Sequence, residues 1–242
     1  MPRIPRLRVI IEAEPHSGEW NMAVDEALLE TAISADVATL RWYQWCEPTI
    51  SLGYFQKSAD FNSDAVLSQL PLVRRLSGGG AILHDDELTY SISLPASQKL
   101  FQLPHHLYDI VHQGALRGLR HLGFPVTFRE KMMKQTIEPL MCFQRHDTHD
   151  IVLNGHKVLG SAQRRRRGAI MQHGSLIRRA SASARQIPGL ADLSDVTIPE
   201  ELAGILSMQV AEGIAESLTV DTMTNIEIEM AKKIVLQHCT NV

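Results

Sequence analysis

The sequence has 242 residues, 44% hydrophobic and 21% charged, and its 24 Lys and Arg against 27 Asp and Glu leave a formal net charge of −3. That length can bury a full core without metal or disulfide staples, and the charge offers no overall attraction to nucleic acid. The three widely spaced cysteines, Cys46, Cys142 and Cys239, argue against a disulfide framework and for a reducing compartment. No run approaches the ~18 apolar residues of a membrane span, and Met1 to Arg8 leads into no signal-peptide core. A cytoplasmic protein without membrane association is expected.

Leu7 to Ile11 alternates and is β-branched, which predicts a strand. Gly18-Glu19-Trp20-Asn21 predicts a turn ending in a helix cap, and Asp25 with Glu26 would place acidic groups near the positive end of the helix that follows. Thr39 to Trp45 and Thr49 to Leu52 predict strands, Asp64 to Gln69 a short helix, and Leu72 to Leu76, Ala81 to Leu83 and Leu88 to Leu94 further strands. The apolar stripe Tyr108, Ile110, Val111, Ala115, Leu116, Leu119 and Leu122 has helical spacing and closes at Gly123 and Pro125. Val126 to Phe128 is a short strand candidate. Ile151 to Leu153 and Lys157 to Leu159 form a hairpin around Asn154-Gly155, with another strand at Ala169 to Ile177. Residues 187–199 are turn-rich, and the chain from there through Val235 predicts two amphipathic helices. Strands and helices mix without regular βαβ alternation, so the expected class is α+β with a mixed, mostly antiparallel sheet flanked by helices. A single domain over residues 1–242 is expected, with a helical segment at about 200–242.

Two segments carry chemistry. In Arg74-Arg75-Leu76-Ser77-Gly78-Gly79-Gly80-Ala81-Ile82-Leu83-His84-Asp85, three glycines between strands let backbone N–H groups approach a ligand closely. The spacing matches neither a dinucleotide fingerprint nor a Walker loop. In Gly155-His156-Lys157-Val158-Leu159-Gly160-Ser161-Ala162-Gln163, a strand lysine precedes small residues and would face something bound; a solvated charge is the plainer alternative. Gln172-His173-Gly174-Ser175 adds a polar cluster on a strand, where His173 could equally be a satisfied core histidine.

These segments, with Asn21-Met22-Ala23-Val24-Asp25-Glu26 and the stretch from Arg41-Trp42-Tyr43-Gln44-Trp45 to Leu52-Gly53-Tyr54-Phe55-Gln56, resemble the lipoate and biotin protein ligase superfamily. Within it they are most similar to the cysteine-dependent octanoyltransferases of the LipM type, over about residues 18–177. The resemblance implies a biotin/lipoate ligase catalytic-domain fold. It also implies that Arg75, Ser77, Gly78, Gly79, Gly80 and His84 lie along an acyl pocket walled further by Gly160, Ser161, Ala162, His173 and Gly174, and that Lys157 contacts the acyl carbonyl. Acyl transfer builds negative charge on that oxygen, which a fixed ammonium beside backbone donors is suited to stabilise. An apolar tunnel would hold the chain at about 0.8 kcal/mol per buried CH₂.

Cys142, in Leu140-Met141-Cys142-Phe143, resembles the nucleophile segment of the LipM type; an inert thiol is the alternative. A thiolate near Lys157 would accept an octanoyl group from an acyl carrier protein and pass it to a lysine of a lipoyl domain, in glycine cleavage H protein or a 2-oxoacid dehydrogenase E2. That exchange requires no cofactor. Two rivals stand beside it: an ATP-dependent lipoate-protein ligase, which would use ATP and Mg with Cys142 incidental, and a non-catalytic acyl-binding protein. His146-Asp147-Thr148-His149-Asp150 could suggest a metal site with Cys142, but the second paired cluster of a structural zinc site is missing, so no metal is expected. Either histidine could instead move protons. Arg164 to Arg167, expected on a loop, is a solvated basic face or a patch that steers an acidic carrier. A monomer is the plain expectation.

Overall fold

The structure, a computed structural model, describes residues 3–57, 67–98, 103, 105–130 and 142–239. Its elements run β1 (Ile4–Ile11), α1 (Gly18–Ala35), β2 (Thr39–Tyr43), β3 (Thr49–Leu52), β4 (Leu72–Arg74), β5 (Ile82–His84), β6 (Glu87–Leu94) and α2 (His106–His121). They continue with β7 (Thr127–Phe128), β8 (Ile151–Leu153), β9 (His156–Arg166), β10 (Ala169–Ile177), α3 (Leu190–Leu193), α4 (Leu202–Ile214), β11 (Ala215–Asp221) and α5 (Asn225–Cys239). Eight strands form one sheet in the order β11-β1-β2-β6-β10-β9-β8-β7, and β4-β3-β5 form a second. β1 pairs parallel with both β11 and β2, while the strands from β2 to β7 pair antiparallel. The expected α+β class with a mixed, mostly antiparallel sheet is the one observed.

Strand alternation sorts side chains onto two faces. Leu7, Val9, Leu40, Trp42, Tyr90 and Ile92 join α2 and α4 in the main core. On the other face Ile10 packs with Ala23, Val24, Ala27 and Leu28 of α1 and Ala231 and Ile234 of α5. This second face is polar at its centre. Arg41, Thr89, Ser91, His173 and Ser175 are all buried there, so the strands that carry them satisfy their polar groups with one another and with α1.

Several expectations are corrected. Helix α1 is capped by Ser17, whose hydroxyl accepts the Trp20 N–H at 3.3 Å; Asn21 lies inside the helix and donates its amide to the carbonyls of His16 and Gln44. Asp25 is no surface partner of the helix dipole but a buried carboxylate. Arg164 to Arg166 belong to β9, and the turn falls at Arg167-Gly168, both with positive φ; the alternation was hidden because arginine stems serve as strand surface while their heads reach solvent or acids. An edge strand, β11, separates the two C-terminal helices, where no strand is expected. Its exposed Glu216, Ser217, Thr219 and Asp221 carry little apolar signal, and charged residues are what an unpaired edge favours. Of the helix expected at 64–69, residues 64–66 lie outside the described residues and Leu67–Gln69 is a 3₁₀ turn.

Arg41 organises the polar face. All five of its N–H groups are used: Nε and Nη2 on the Glu12 carboxylate (3.1 and 2.8 Å), Nη1 on Asp25 Oδ1 (2.8 Å) and the Asn21 carbonyl (3.1 Å), and Nη2 again on Asn21 Oδ1 (2.9 Å). Removing one member of such a buried set leaves charges unpaired. Arg41→Leu is therefore expected to lower unfolding free energy by about 3–5 kcal/mol. Chemical denaturation at neutral pH measures this, and a change below about 1 kcal/mol would contradict the role assigned to Arg41.

Candidate active site

The glycine loop joins β4 to β5 and is held from beneath by Arg75. This side chain is buried and donates through Nη1 to the Ser51 carbonyl (2.7 Å) and hydroxyl (3.2 Å), and through Nη2 to the carbonyls of Gly78 (2.8 Å) and Gly80 (2.6 Å). Gly79 has φ +94°, a conformation an L side chain rarely adopts. With carbonyls turned inward to Arg75, the loop is fixed by the protein's own charge. Burial pulls the Arg75 guanidinium down to about 10, opposed by its electrostatic attraction to Cys142 and assisted by the charge of Arg145. His84 completes this support: Nδ1 lies 2.7 Å from the Glu87 carboxylate and Nε2 2.6 Å from the Ser51 hydroxyl, and the ring stacks on Trp45 at 3.8 Å.

Ser77 at the head of the loop meets His173 of β10, with Oγ 2.6 Å from Nε2. The opposite nitrogen, Nδ1, faces Asp25 Oδ2 at 3.8 Å, an attraction rather than a hydrogen bond. Burial holds His173 below the ordinary histidine value against the pull of Asp25, so at neutral pH its ring is uncharged and Nε2 can accept the Ser77 hydroxyl. For Asp25, burial works upward, but the interaction with His173, the charge of Arg41 and the Ser91 hydroxyl hold it below the usual carboxylate value.

Lys157, at the start of β9, is almost fully buried. Its Nζ lies 2.8 Å from Asp150 Oδ1 and 5.3 Å from the centre of the Phe143 ring. Gly160 makes room for it: a Cβ there would come within 2.5 Å of Nζ and closer still to Cε. Cys142 opens a 3₁₀ turn, Cys142–Gln144, whose first N–H donates to the Ala81 carbonyl (2.7 Å), the residue directly after the three glycines. The partly buried thiol borders the apolar cluster of Ile82, Phe143, Ile177 and Ile187. The turn thus places Cys142 at the end of the glycine loop and its neighbour Phe143 beneath the Lys157 ammonium. Leu140 and Met141, which precede it, lie outside the described residues.

On the other side of β9, Ser161 joins a hydrogen-bond chain that runs in one direction. Gln163 Nε2 donates to Gln172 Oε1 (2.8 Å), and Gln172 Nε2 to the Tyr90 hydroxyl (2.7 Å). Tyr90 then lies 2.6 Å from Ser161 Oγ, Ser161 Oγ 2.5 Å from His112 Nε2, and His112 Nδ1 2.5 Å from the His149 carbonyl. Since a carbonyl only accepts, His112 Nδ1 donates to it, Nε2 accepts from Ser161, and Tyr90 supplies its proton to Ser161. Gly174 leaves space for this chain, because a Cβ there would come within 2.7 Å of the Tyr90 ring. Sequence patterning offered no sign of His112 or Tyr90; both sit in apolar stripes.

The remaining sequence candidates are dispersed. His149 is bracketed by Asp147 (2.7 Å) and Asp109 (3.3 Å), and burial with the charges of Arg129 and Lys157 lowers His146. Arg166 reaches Glu26 and Glu30 at 2.9 Å, Arg167 reaches Glu30 at 3.5 Å, and Arg164 lies 4.7 Å from the centre of the Tyr54 ring. Much of the arginine run therefore fastens the hairpin to α1. A cleft of about 620 Å³ opens where β1 and β2 end, lined by Glu12, Trp42, Arg178 and Leu202 among others, and touches none of the candidate site residues.

The chain belongs to a known family: the model of the lipoyl protein ligase A/B catalytic domain matches residues 17–240. Among curated relatives, octanoyltransferase LipM of Exiguobacterium sp. is 38% identical over 179 residues, 69% of this chain and 64% of that protein. Octanoyltransferase LipM of Anoxybacillus flavithermus is 40% identical over 171 residues, 66% of this chain and 62% of that protein. The chain thus spans somewhat less than two thirds of the length of these relatives. A solved structure of the bipartite lipoate protein ligase of Thermoplasma acidophilum superposes with a TM-score of 0.72 over 98% of this chain and 93% of that one, at 20% identity, which speaks to the fold alone.

Gly160→Ala is expected to displace Lys157 and, since misplacement of about 1 Å at a reacting centre costs on the order of 100-fold, to reduce turnover about that much while thermal melting stays cooperative. Burial draws His112 from 6.5 to about 4. The folded state then binds fewer protons than the unfolded chain between these values, so stability is lost as pH falls from 6.5 towards 4, by about 3 kcal/mol for this group. Denaturation curves across that range should show the loss in the wild type and a flatter profile in His112→Gln.

Proposed function

We propose that the protein moves an octanoyl group from an acyl carrier protein to a lysine of a lipoyl domain through a thioester on Cys142. The observation that carries this reading is the seat of Cys142: tied by its N–H to Ala81 at the end of the glycine loop, within the field of buried Arg75, and one residue from the ring beneath the Lys157 ammonium.

In the first half-reaction the Cys142 thiolate attacks the thioester carbonyl carbon of the donor. A new C–S bond forms, the old one breaks, and the carrier's thiolate leaves to take up a proton from solvent. In the second, the neutral amine of the acceptor lysine attacks the acyl-Cys142 carbonyl, the C–S bond breaks, Cys142 returns as thiolate and the amine proton is lost to solvent. Each half passes through an oxyanion. Lys157 has three N–H donors, and among the described residues Asp150 occupies one, which leaves two for that oxygen. Arg75 and the loop carbonyls it holds keep the Cys142 backbone from drifting. Ile82, Ile177 and Ile187 offer the acyl chain an apolar surface next to the thiol. The donor thioester is already activated, so no ATP is consumed. The octanoyltransferase names of the curated relatives support the choice of acyl group.

The test is intact mass after incubation with octanoyl-acyl carrier protein and no ATP. The wild type is expected to gain one octanoyl group that hydroxylamine removes, and Cys142→Ala to gain none. An unmodified wild type that instead forms an acyl-adenylate from ATP and lipoate would make the protein a ligase.

A further inference from the structure

An enzyme that holds an activated acyl group beside a lysine faces a hazard of its own making. A free amine that close to a thioester would attack it, and an amide is not reversed by thiols. Lys157 is the amine in question, and a buried amine with no counter-charge sheds its proton readily, because low dielectric disfavours the ammonium. The proton it loses is the one that keeps its nitrogen from being a nucleophile.

We propose that Asp150 is the positioning residue that prevents this self-acylation, by fixing Lys157 as an ammonium aimed at the oxyanion site. Resting on the Cys142 thioester reading, this assigns Asp150 a part in the same reaction. The Asp150 side chain is as buried as that of Lys157, 3% and 5% exposed, and Oδ1 takes the Nζ contact at 2.8 Å. Its other oxygen, Oδ2, accepts the Asp147 N–H at 2.8 Å and faces Arg129 Nε at 3.6 Å. The backbone is held as well: the Asp150 N–H donates to the Asp147 carbonyl (3.1 Å) and its carbonyl accepts from Arg129 (3.0 Å). A carboxylate fixed at both ends cannot follow Lys157 if it swings. Among the described residues, the other charged or titratable groups that act on Lys157 or share its surroundings are Asp147, His146, His112 and Arg129. His112 and His146 both sit below the ordinary histidine value, so among the described residues Asp150 and the more distant Asp147 are the anions that offset the ammonium.

Without Asp150, the balanced side reaction is direct. Neutral Lys157 Nζ attacks the acyl-Cys142 carbonyl, the C–N bond forms, the C–S bond breaks, Cys142 leaves as thiolate and the amine proton goes to solvent. The product is an octanoyl amide on Lys157 and a dead enzyme.

The experiment compares wild type, Asp150→Asn and Asp150→Glu by peptide mass mapping before and after hydroxylamine, following incubation with octanoyl-acyl carrier protein. Each variant is also prepared in a Cys142→Ala background and treated with p-nitrophenyl octanoate, a probe that acylates amines without help from the thiol. Asp150→Asn, cooperative in thermal melting, is expected to carry hydroxylamine-resistant octanoyl on Lys157 at about ten times the wild-type level or more, rising with pH, in both backgrounds. Asp150→Glu should return it to near the wild-type level. A folded Asp150→Asn with no excess amide on Lys157 in the Cys142→Ala background overturns the proposal. Loss of the hydroxylamine-labile adduct from the wild type overturns the thioester reading instead, and the probe still decides the part played by Asp150. Should Asp150→Asn fail to melt cooperatively, Asp150→Ser in the same probe experiment takes its place.

Discussion

A guanidinium sealed inside a protein must find acceptors, and Arg75 finds them in the backbone carbonyls of Ser51, Gly78 and Gly80. Those bonds fix the shape of a loop that glycine alone would leave loose, since three such residues in succession lose more conformational freedom on folding than any other tripeptide. The loop's end at Ala81 then fixes Cys142 through one backbone bond. A charged side chain thus sets the position of a thiol with which it shares no hydrogen bond. His84, between Glu87 and Ser51, braces the same carbonyl strand from the far side.

Charge is distributed around this support in two separate compartments. One contains Glu12, Arg41, Asp25 and His173 and joins α1 to the sheet; the other contains Lys157 and Asp150 and belongs to the β8–β9 hairpin and the loop before it. In each, a cation lies beside a carboxylate that itself has other donors. Double satisfaction of this kind is what makes a buried ion pair tolerable, because neither partner is left to bear its desolvation alone.

The sequence made the outline of this site legible because its parts are contiguous: the triple-glycine loop, the Gly-x-Lys hairpin and the polar cluster around His173 each announce themselves locally. The strands were legible for the same reason, from Thr39 to Ile177. What could not be read was pairing through space. Asp25 looked like an acidic residue at a helix start, and only the β2–β6–β10 register puts it against Arg41, Ser91 and His173. Asp150 was the last letter of a His/Asp cluster that invited thoughts of metal or proton transfer, and its partner lies seven residues on, across a tight turn. His112 lies next to Val111 in a helix whose apolar stripe carries the local signal, and nothing in the sequence links it to Ser161 or His149. Strand β11 stayed hidden because an edge strand with charged residues has almost no apolar alternation to detect.

The chain from Gln163 to the His149 carbonyl offers a different kind of consequence. Each of its members gives to the next, and the last acceptor is a backbone oxygen with no proton to return. Turning the Gln172 amide would set donor against donor at one end and acceptor against acceptor at the other. The row therefore has one ground arrangement and no mirror image of comparable energy, which makes it a poor switch and a good ruler. It measures out a fixed separation between α2, the β9–β10 pair and the loop that leads into Asp150. The Lys157–Asp150 pair follows directly on that loop, so it is set against a frame that cannot settle in two ways.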